Sequence, residues 1–160
     1  MKISGSEAIS IAADPHALWE MISDVTRTPG WSPDVIQSVW IDPGPAVGAR
    51  FESLNRMPLI RRWRSRSTVI AADPGRRFAF AVGANPHDPS TTWTWDLEPT
   101  ADGTTVRLSY EMHHEPLVVL IYYRLTRRPH RVRESVRATL NRLKAVTEEP
   151  RPEAMGLDRP

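Results

Sequence analysis

The sequence predicts an α+β protein with seven antiparallel strands, two short helices after the first strand and a long helix at the C-terminus. Three observations favour this class. Residues 3–11 alternate between apolar and polar, and residues 35–113 contain further alternating runs separated by turn residues. After Pro116 the apolar residues recur every three or four positions, which is the period of an amphipathic helix.

The length and composition fit a single domain. The chain has 160 residues, of which 40% are hydrophobic, and six tryptophans add bulky apolar surface. We assign residues 1–148 to one domain and residues 149–160, which have three prolines and no periodicity, to a flexible tail. The first residues lack the apolar stretch of a signal peptide, and no window approaches the roughly 18 apolar residues of a membrane span, so we expect a cytoplasmic protein.

The charge and the cysteine content exclude several classes of function. The 21 basic and 19 acidic residues leave a net charge of +2, which is too small to attract nucleic acid strongly. The absence of cysteine excludes disulfides, zinc–thiolate sites and thiol nucleophiles. Neither a phosphate-binding loop, a dinucleotide fingerprint nor a serine hydrolase motif is present.

The first strand and the helices after it have clear signals. Residues 3–11 predict a half-buried strand because Ile3, Ile9 and Ile11 share one parity. Asp14 followed by Pro15 predicts an N-cap and a first helical residue, and hence a short helix over 15–23. Prolines and a glycine within 24–34 predict a single helical turn and then an irregular link that contains Trp31.

Six further strands form a predicted meander. Turn residues such as those at 42–45, 73–75 and 99–103 separate the alternating runs. The predicted strands cover 35–41, 49–55, 61–72, 77–82, 91–97 and 104–113, with a loop at 83–90.

The C-terminal helix contains two features of interest. Pro129 predicts a kink or a break near residues 127–129, because proline lacks a backbone donor and clashes with the preceding turn. The segment from Arg124 to Arg137 is the densest basic run of the chain. A solvated helix face is the common meaning of such a run, and contact with an anionic membrane is the alternative.

The order of the elements and six short motifs resemble one superfamily over residues 3–147. The motifs are ISIAADPHALWEMISD at 9–24, PGWSPDV at 29–35, VGARF at 47–51, ADPGRRFAF at 72–80, WTWDLEP at 93–99 and GTTV at 103–106. They resemble the START/polyketide-cyclase (SRPBCC) superfamily, and most of all its bacterial polyketide cyclase/dehydratase and lipid-transport branch. The resemblance implies the helix-grip fold, in which a curved sheet surrounds the long helix and leaves a mostly apolar cavity between them.

The residues themselves also favour one apolar face. Four predicted strands place bulky side chains on a single parity, whereas the other parity is largely polar, as on the solvent side of an antiparallel sheet. These aromatic residues either fill a core or line a cavity. If they line one, Trp31 and the loop 84–89 lie near its entrance, and we expect these residues at the ligand: Trp31, Trp63, Ser65, Phe80, Trp93, Trp95, Tyr110, Met112 and Leu120.

The first hypothesis is therefore binding, with transport or sequestration, of a hydrophobic small molecule such as a lipid, a polyketide or an isoprenoid-like compound. No cofactor is implied, and we expect a monomer or a homodimer. A partner protein bound through the surface is a further alternative.

The alternative from another class is a cyclase/dehydratase-type enzyme that acts on an aromatic or polyketide-like substrate. Ser65, Tyr110 and His114 are its candidate catalytic groups, since hydroxyl and imidazole groups can move protons. Aromatase/cyclase relatives present a Trp, a Ser and an Arg at alternate positions of the matching strand. Trp63 and Ser65 match here, but the third position is Ser67, and the neighbouring arginines have the opposite parity. His113 and His114 are adjacent on a predicted strand and face opposite sides, so they predict no metal site.

Overall fold

The computed structural model describes residues 3–56, 62–113 and 128–149. Their backbone forms one curved antiparallel sheet with short helices after the first strand and a long helix at the end, which confirms the predicted fold class. The strands are β1 (Ile3–Ile11), β2 (Val35–Trp40), β3 (Arg50–Asn55), β4 (Trp63–Asp73), β5 (Arg77–Val82), β6 (Thr91–Thr100) and β7 (Gly103–Met112). The helices are α1 (Pro15–Ser23), a 3₁₀ helix (Val25–Gly30) and α2 (Arg128–Glu148).

The first and the last strand of the chain are neighbours in the sheet. The strand order is β1-β7-β6-β5-β4-β3-β2, so β2 to β7 form a meander and β1 is added beside β7. β1 pairs with β7 along its whole length, from Ile3 opposite Met112 to Ile11 opposite Thr104. β1 and β2 are therefore the edge strands of the described sheet.

The predicted strand boundaries hold to within a few residues, and the largest difference is at the end of β6. We expected a turn to start near Pro99, but the strand continues to Thr100, and Pro99 pairs with Thr104. The pairing between β5 and β6 ends at Arg77 opposite Asp96. Pro99 therefore lies beyond the last β5 pair, where its missing N–H interrupts no ladder.

The short helices close one end of the sheet. The Asp14 carboxylate accepts hydrogen bonds from the backbone N–H groups of His16 and Ala17 at 2.9 and 3.1 Å, which caps α1 as predicted. Leu18, Trp19 and Ile22 are buried on the face toward the sheet. The Trp19 indole N–H also donates to the backbone carbonyl of Arg77 at 2.9 Å, so α1 is fixed to the start of β5.

Helix α2 lies along β1. Lys144 donates to the backbone carbonyl of Ser10 at 2.7 Å, and the Glu148 carboxylate accepts from the backbone N–H of Ala12 at 2.8 Å. Val136, Leu140 and Leu143 are buried in the core beneath the helix. The described helix begins at Arg128, immediately before Pro129, while residues 114–127 lie outside the described residues, as does the tail from 150 onward.

Candidate ligand-binding face

The sheet has one face toward the helices, which we call the inner face. On β6 this face carries Trp93, Trp95 and Leu97, and on β7 it carries Leu108 and Tyr110, as the predicted parity requires. The intervening positions face outward and are polar. The side chains of the inner face are the ones that can contact an apolar molecule held between sheet and helix.

One end of the inner face is filled. Trp95 and Leu97 are each 6% exposed, and Val106 is fully buried. These residues belong to the same hydrophobic cluster as α1 and the middle of α2. The part of the inner face nearest the short helices is therefore close-packed core.

The other end of the inner face is more exposed. The Trp63 side chain on β4 is 39% exposed, although it is a large apolar residue. Phe80, Trp93 and Met112 pack against the core cluster and are only partly buried. Ser65, two residues along the strand from Trp63, is also partly buried. Burial on the inner face is therefore uneven: Trp95 is buried, Phe80, Trp93 and Met112 are partly buried, and Trp63 at the start of β4 is exposed.

A row of small polar side chains crosses the inner face near Trp63. The hydroxyl oxygens of Ser38 and Ser53 lie 2.7 Å apart, both buried. The Asn55 side-chain amide donates to the Ser65 hydroxyl at 2.9 Å. Ser53 is paired with Ser65 across β3 and β4, so hydroxyl groups continue over three strands. This row places hydrogen-bonding groups between Trp63 and the aromatic rings of the core.

Aromatic rings border the polar row on the core side. The Phe51 ring lies edge-on to the rings of Trp40 and Phe80, with centroids 5.5 and 5.1 Å apart. Ser67 of β4 is paired with Phe51 and is 2% exposed, and its small side chain leaves room for Phe51 and Phe80 to meet over β4. Phe80 is thereby held in place from the core side.

Tyr110 is part of the closed region. Its side chain is 6% exposed, and its ring lies 5.5 Å from that of Trp93. The ring also occupies the space above Gly5 on β1. Burial raises the pKa of the Tyr110 hydroxyl above its ordinary value of 10.0.

The structure divides the sequence-predicted ligand residues into two groups. Trp31, Trp95 and Tyr110 are buried in the core cluster, and Trp31 is 3% exposed despite its predicted place at an entrance. Leu120 and the catalytic candidate His114 lie outside the described residues. The remaining residues share the more exposed part of the inner face: Trp63, Ser65, Phe80, Trp93 and Met112. A role of either group in ligand binding stays a prediction.

The arginines beside Trp63 face outward, as their parity predicted. Arg64 and Arg66 are exposed. The Arg64 guanidinium pairs with Glu52 on the outer face at 2.6 Å. No arginine of the described part of β4 therefore reaches the inner face.

His113 also belongs to the outer face. The Thr92 hydroxyl lies 3.0 Å from His113 Nε2, and Glu111 is 3.7 Å from Nδ1 of the same ring. A shallow groove of about 340 Å³ lies beside them. Its lining is mostly hydroxyl groups with one carboxylate: Ser4, Gly5, Ser6, Thr92, Thr94, Ser109, Tyr110 and Glu111. Most of its lining residues face outward, and Gly5 and Tyr110, which have the parity of the inner face, also border the groove.

Sequence reasoning missed an inward-facing carboxylate. Glu7 has the parity of Ile3 and Ile9, and its side chain is 16% exposed. It forms ion pairs with Arg133 and Arg137 of α2. Hydrogen bonds from these guanidinium groups, Arg133 first, hold the pKa of Glu7 below its ordinary value. The inward parity was the available signal, but the partners lie more than 120 residues away in the chain.

Comparisons with known proteins agree with the fold. The family described as polyketide cyclase / dehydrase and lipid transport matches residues 2–148. No curated protein matches the sequence significantly. Within the described residues, no helix is both long and apolar enough to cross a membrane.

Several solved structures share the architecture. The Polyketide_cyc-like protein Cgl2372 from Corynebacterium glutamicum is 28% identical, with a TM-score of 0.64 and 91% of each chain covered. The di-domain ARO/CYC StfQ of the steffimycin biosynthetic pathway is 16% identical, with a TM-score of 0.75, and the match covers 93% of this chain and 51% of that one. Protein CV1439 from Chromobacterium violaceum is 14% identical, with a TM-score of 0.69, 92% of this chain and 99% of that one covered. Because the family match spans residues 2–148, the chain belongs to the polyketide cyclase / dehydrase and lipid transport family.

Proposed function

We propose that the protein binds a hydrophobic small molecule at the exposed end of the inner face, between the sheet and the C-terminal helix. Trp63, Phe80, Trp93 and Met112 provide the apolar contacts, and Ser65 provides a polar one. Trp31, Trp95 and Tyr110 belong to the buried core cluster, and Leu120 is a further predicted contact. Transport or sequestration of a lipid, a polyketide or an isoprenoid-like compound is the corresponding cellular role.

The change of burial along the inner face carries this proposal. A large aromatic side chain that stays in water forgoes the stabilisation that burial of its apolar area would give. Here Trp95 is 6% exposed while Trp63 on the same face is 39% exposed. An apolar ligand would remove this exposed area from water.

The polar row near Trp63 indicates which functional groups the ligand carries. Ser65 is positioned by the Asn55 amide, and its hydroxyl can still donate a hydrogen bond. A ligand with carbonyl or hydroxyl groups along one edge can use such a donor, whereas a plain hydrocarbon would leave it unpaired. The arrangement therefore favours an oxygenated hydrophobic ligand.

The direct experiment is native mass spectrometry of the purified protein, with organic extraction and mass analysis of any bound molecule. Titration with an apolar fluorescent probe then measures the site itself. Ser65→Phe would fill the inner face and should weaken probe binding at least tenfold. Arg66→Phe places the same ring outward on the next residue and should change the probe affinity less than twofold. Equal effects of the two substitutions would exclude the proposed site.

The same polar row favours a cyclase/dehydratase-type enzyme as the second candidate function. The Asn55–Ser65 contact is a positioned donor next to aromatic rings, which is the kind of group that stabilises a developing oxyanion. Ser65 and His114 are the candidate groups that could contact a substrate, since Tyr110 lies within the core. Incubation with a linear poly-β-ketone, followed by mass analysis, tests the reaction: cyclisation with dehydration lowers the mass of the substrate by that of one water. An unchanged substrate that co-purifies with the protein would favour binding alone.

A further inference from the structure

Two arginines of helix α2 share one carboxylate of β1. Glu7 faces the helix, and its Oε1 accepts from Nε of Arg133. Its Oε2 lies 3.3 Å from Nε of Arg137. Arg133 and Arg137 are four residues apart, so they occupy the same side of α2. The carboxylate thus fixes two neighbouring guanidinium groups in one place.

The terminal nitrogens of these guanidinium groups remain available. Glu7 contacts the Nε atom of each arginine, and the described part of the chain places no hydrogen-bond acceptor on Nη1 or Nη2 of either group. The Arg133 and Arg137 side chains are 59% and 57% exposed. Several N–H donors therefore point away from Glu7 and toward solvent, in the planar fork that each guanidinium imposes.

Among the described residues, the ion-paired cluster also keeps a positive charge. Two guanidinium groups and one carboxylate leave a net charge of +1. An acceptor with several negatively charged oxygens matches both the charge and the number of free donors, because guanidinium groups bind such oxyanions by paired hydrogen bonds.

We propose that Arg133 and Arg137, held by Glu7, bind a phosphate-type oxyanion where their guanidinium groups face solvent at the β1–α2 junction. The site does not depend on a ligand at the inner face. The phosphate can come from a lipid headgroup or from a free phosphorylated compound, because both offer the same oxygens to the same donors.

The test uses the full-length protein and inorganic phosphate at constant ionic strength. Arginine side-chain NMR signals report binding at the guanidinium groups directly, and their shifts give the dissociation constant. We expect the Arg133 and Arg137 signals to shift together and to saturate. Arg133→Gln and Arg137→Gln should each raise the dissociation constant at least fivefold. Flotation with phosphatidic acid vesicles, compared with phosphatidylcholine vesicles, then distinguishes a lipid headgroup from free phosphate.

Two matched variants separate specific binding from a general effect of positive charge. Arg131→Gln removes the same charge from an exposed residue of the same helix and should change the dissociation constant less than twofold. Arg137→Lys keeps the charge but loses the fork and should still weaken binding severalfold. If Arg131→Gln weakens phosphate binding as much as Arg133→Gln, the proposed site does not exist. The same conclusion follows if phosphate shifts neither the Arg133 nor the Arg137 signal. Full binding by Arg137→Lys would show an unspecific charge effect and would also overturn the proposal.

Discussion

Gly5 of β1 and Tyr110 of β7 are paired on neighbouring strands, and the Tyr110 ring occupies the space that a side chain at Gly5 would need. A Cβ atom at position 5 would lie 2.6 Å from the Tyr110 hydroxyl oxygen and 2.8 Å from the ring carbon that carries it. The Tyr110 ring therefore lies over Gly5 on β1. This contact explains why a residue predicted at the ligand belongs to the core cluster.

Substitution of Gly5 by alanine should displace the Tyr110 ring. We expect a loss of about 1–3 kcal/mol in the free energy of unfolding, which is the usual cost of overpacking a close-packed site. Gly30→Ala is the control, because a Cβ atom there meets nothing within 4 Å. Urea unfolding of both variants measures the difference, and equal stability of the two would show that Tyr110 moves without cost.

Trp93 and Trp95 should respond differently to alanine substitution although they share one strand face. Trp95 lies in the core, so its loss should cost about 3–5 kcal/mol of stability and leave the probe affinity nearly unchanged in protein that remains folded. Trp93 is only partly buried, so its loss should cost about 1–2 kcal/mol and weaken probe binding. Denaturant unfolding beside a probe titration measures both quantities. The reverse pattern would place the ligand deeper than we propose.

The contributions of the buried Ser38 and Ser53 hydroxyl groups to the free energy of unfolding should depend strongly on each other. Ser53→Ala leaves the Ser38 hydroxyl buried without its partner at 2.7 Å, which should cost about 1–3 kcal/mol. The double variant Ser38→Ala, Ser53→Ala removes both polar groups and should cost less than the sum of the two single changes. A double-mutant cycle of unfolding free energies tests this, and simple additivity would mean that the two hydroxyl groups do not depend on each other.

The Glu7 carboxylate should stabilise the fold in a pH-dependent manner. Hydrogen bonds from Arg133 and Arg137 lower its pKa in the folded state below the ordinary 4.5, so its contribution is fully present above that value. The contribution is lost as the pH falls below 4.5 and through the lowered pKa. The stability difference between wild type and Glu7→Gln should therefore shrink on acidification. Thermal unfolding of both proteins between pH 7 and pH 3 measures this difference, and a difference that stays constant with pH would contradict the prediction.

The strands and the direction of their side chains follow from local patterns in the sequence. Alternation with a period of two gave Trp93, Trp95 and Tyr110 a common side, and it turned Arg64 and Arg66 outward, because adjacent residues of a strand point to opposite faces. The capping residue Asp14 gave the start of α1 for an equally local reason. Such features depend on a few neighbouring residues and can be derived from their order.

The degree of burial of each inner-face residue, in contrast, depends on contacts between distant parts of the chain. Trp93 and Trp95 have the same parity and residue type, yet their burial differs because it depends on α1, β5 and α2, which are distant in the chain. The Glu7 cluster brings β1 to residues 133 and 137 of α2, and the Asn55–Ser65 contact needs the register of β3 against β4. The parity of a strand residue specifies only the face to which its side chain points. Its burial and its contact partners are set by long-range packing, and this packing separates the core from the proposed ligand-binding face.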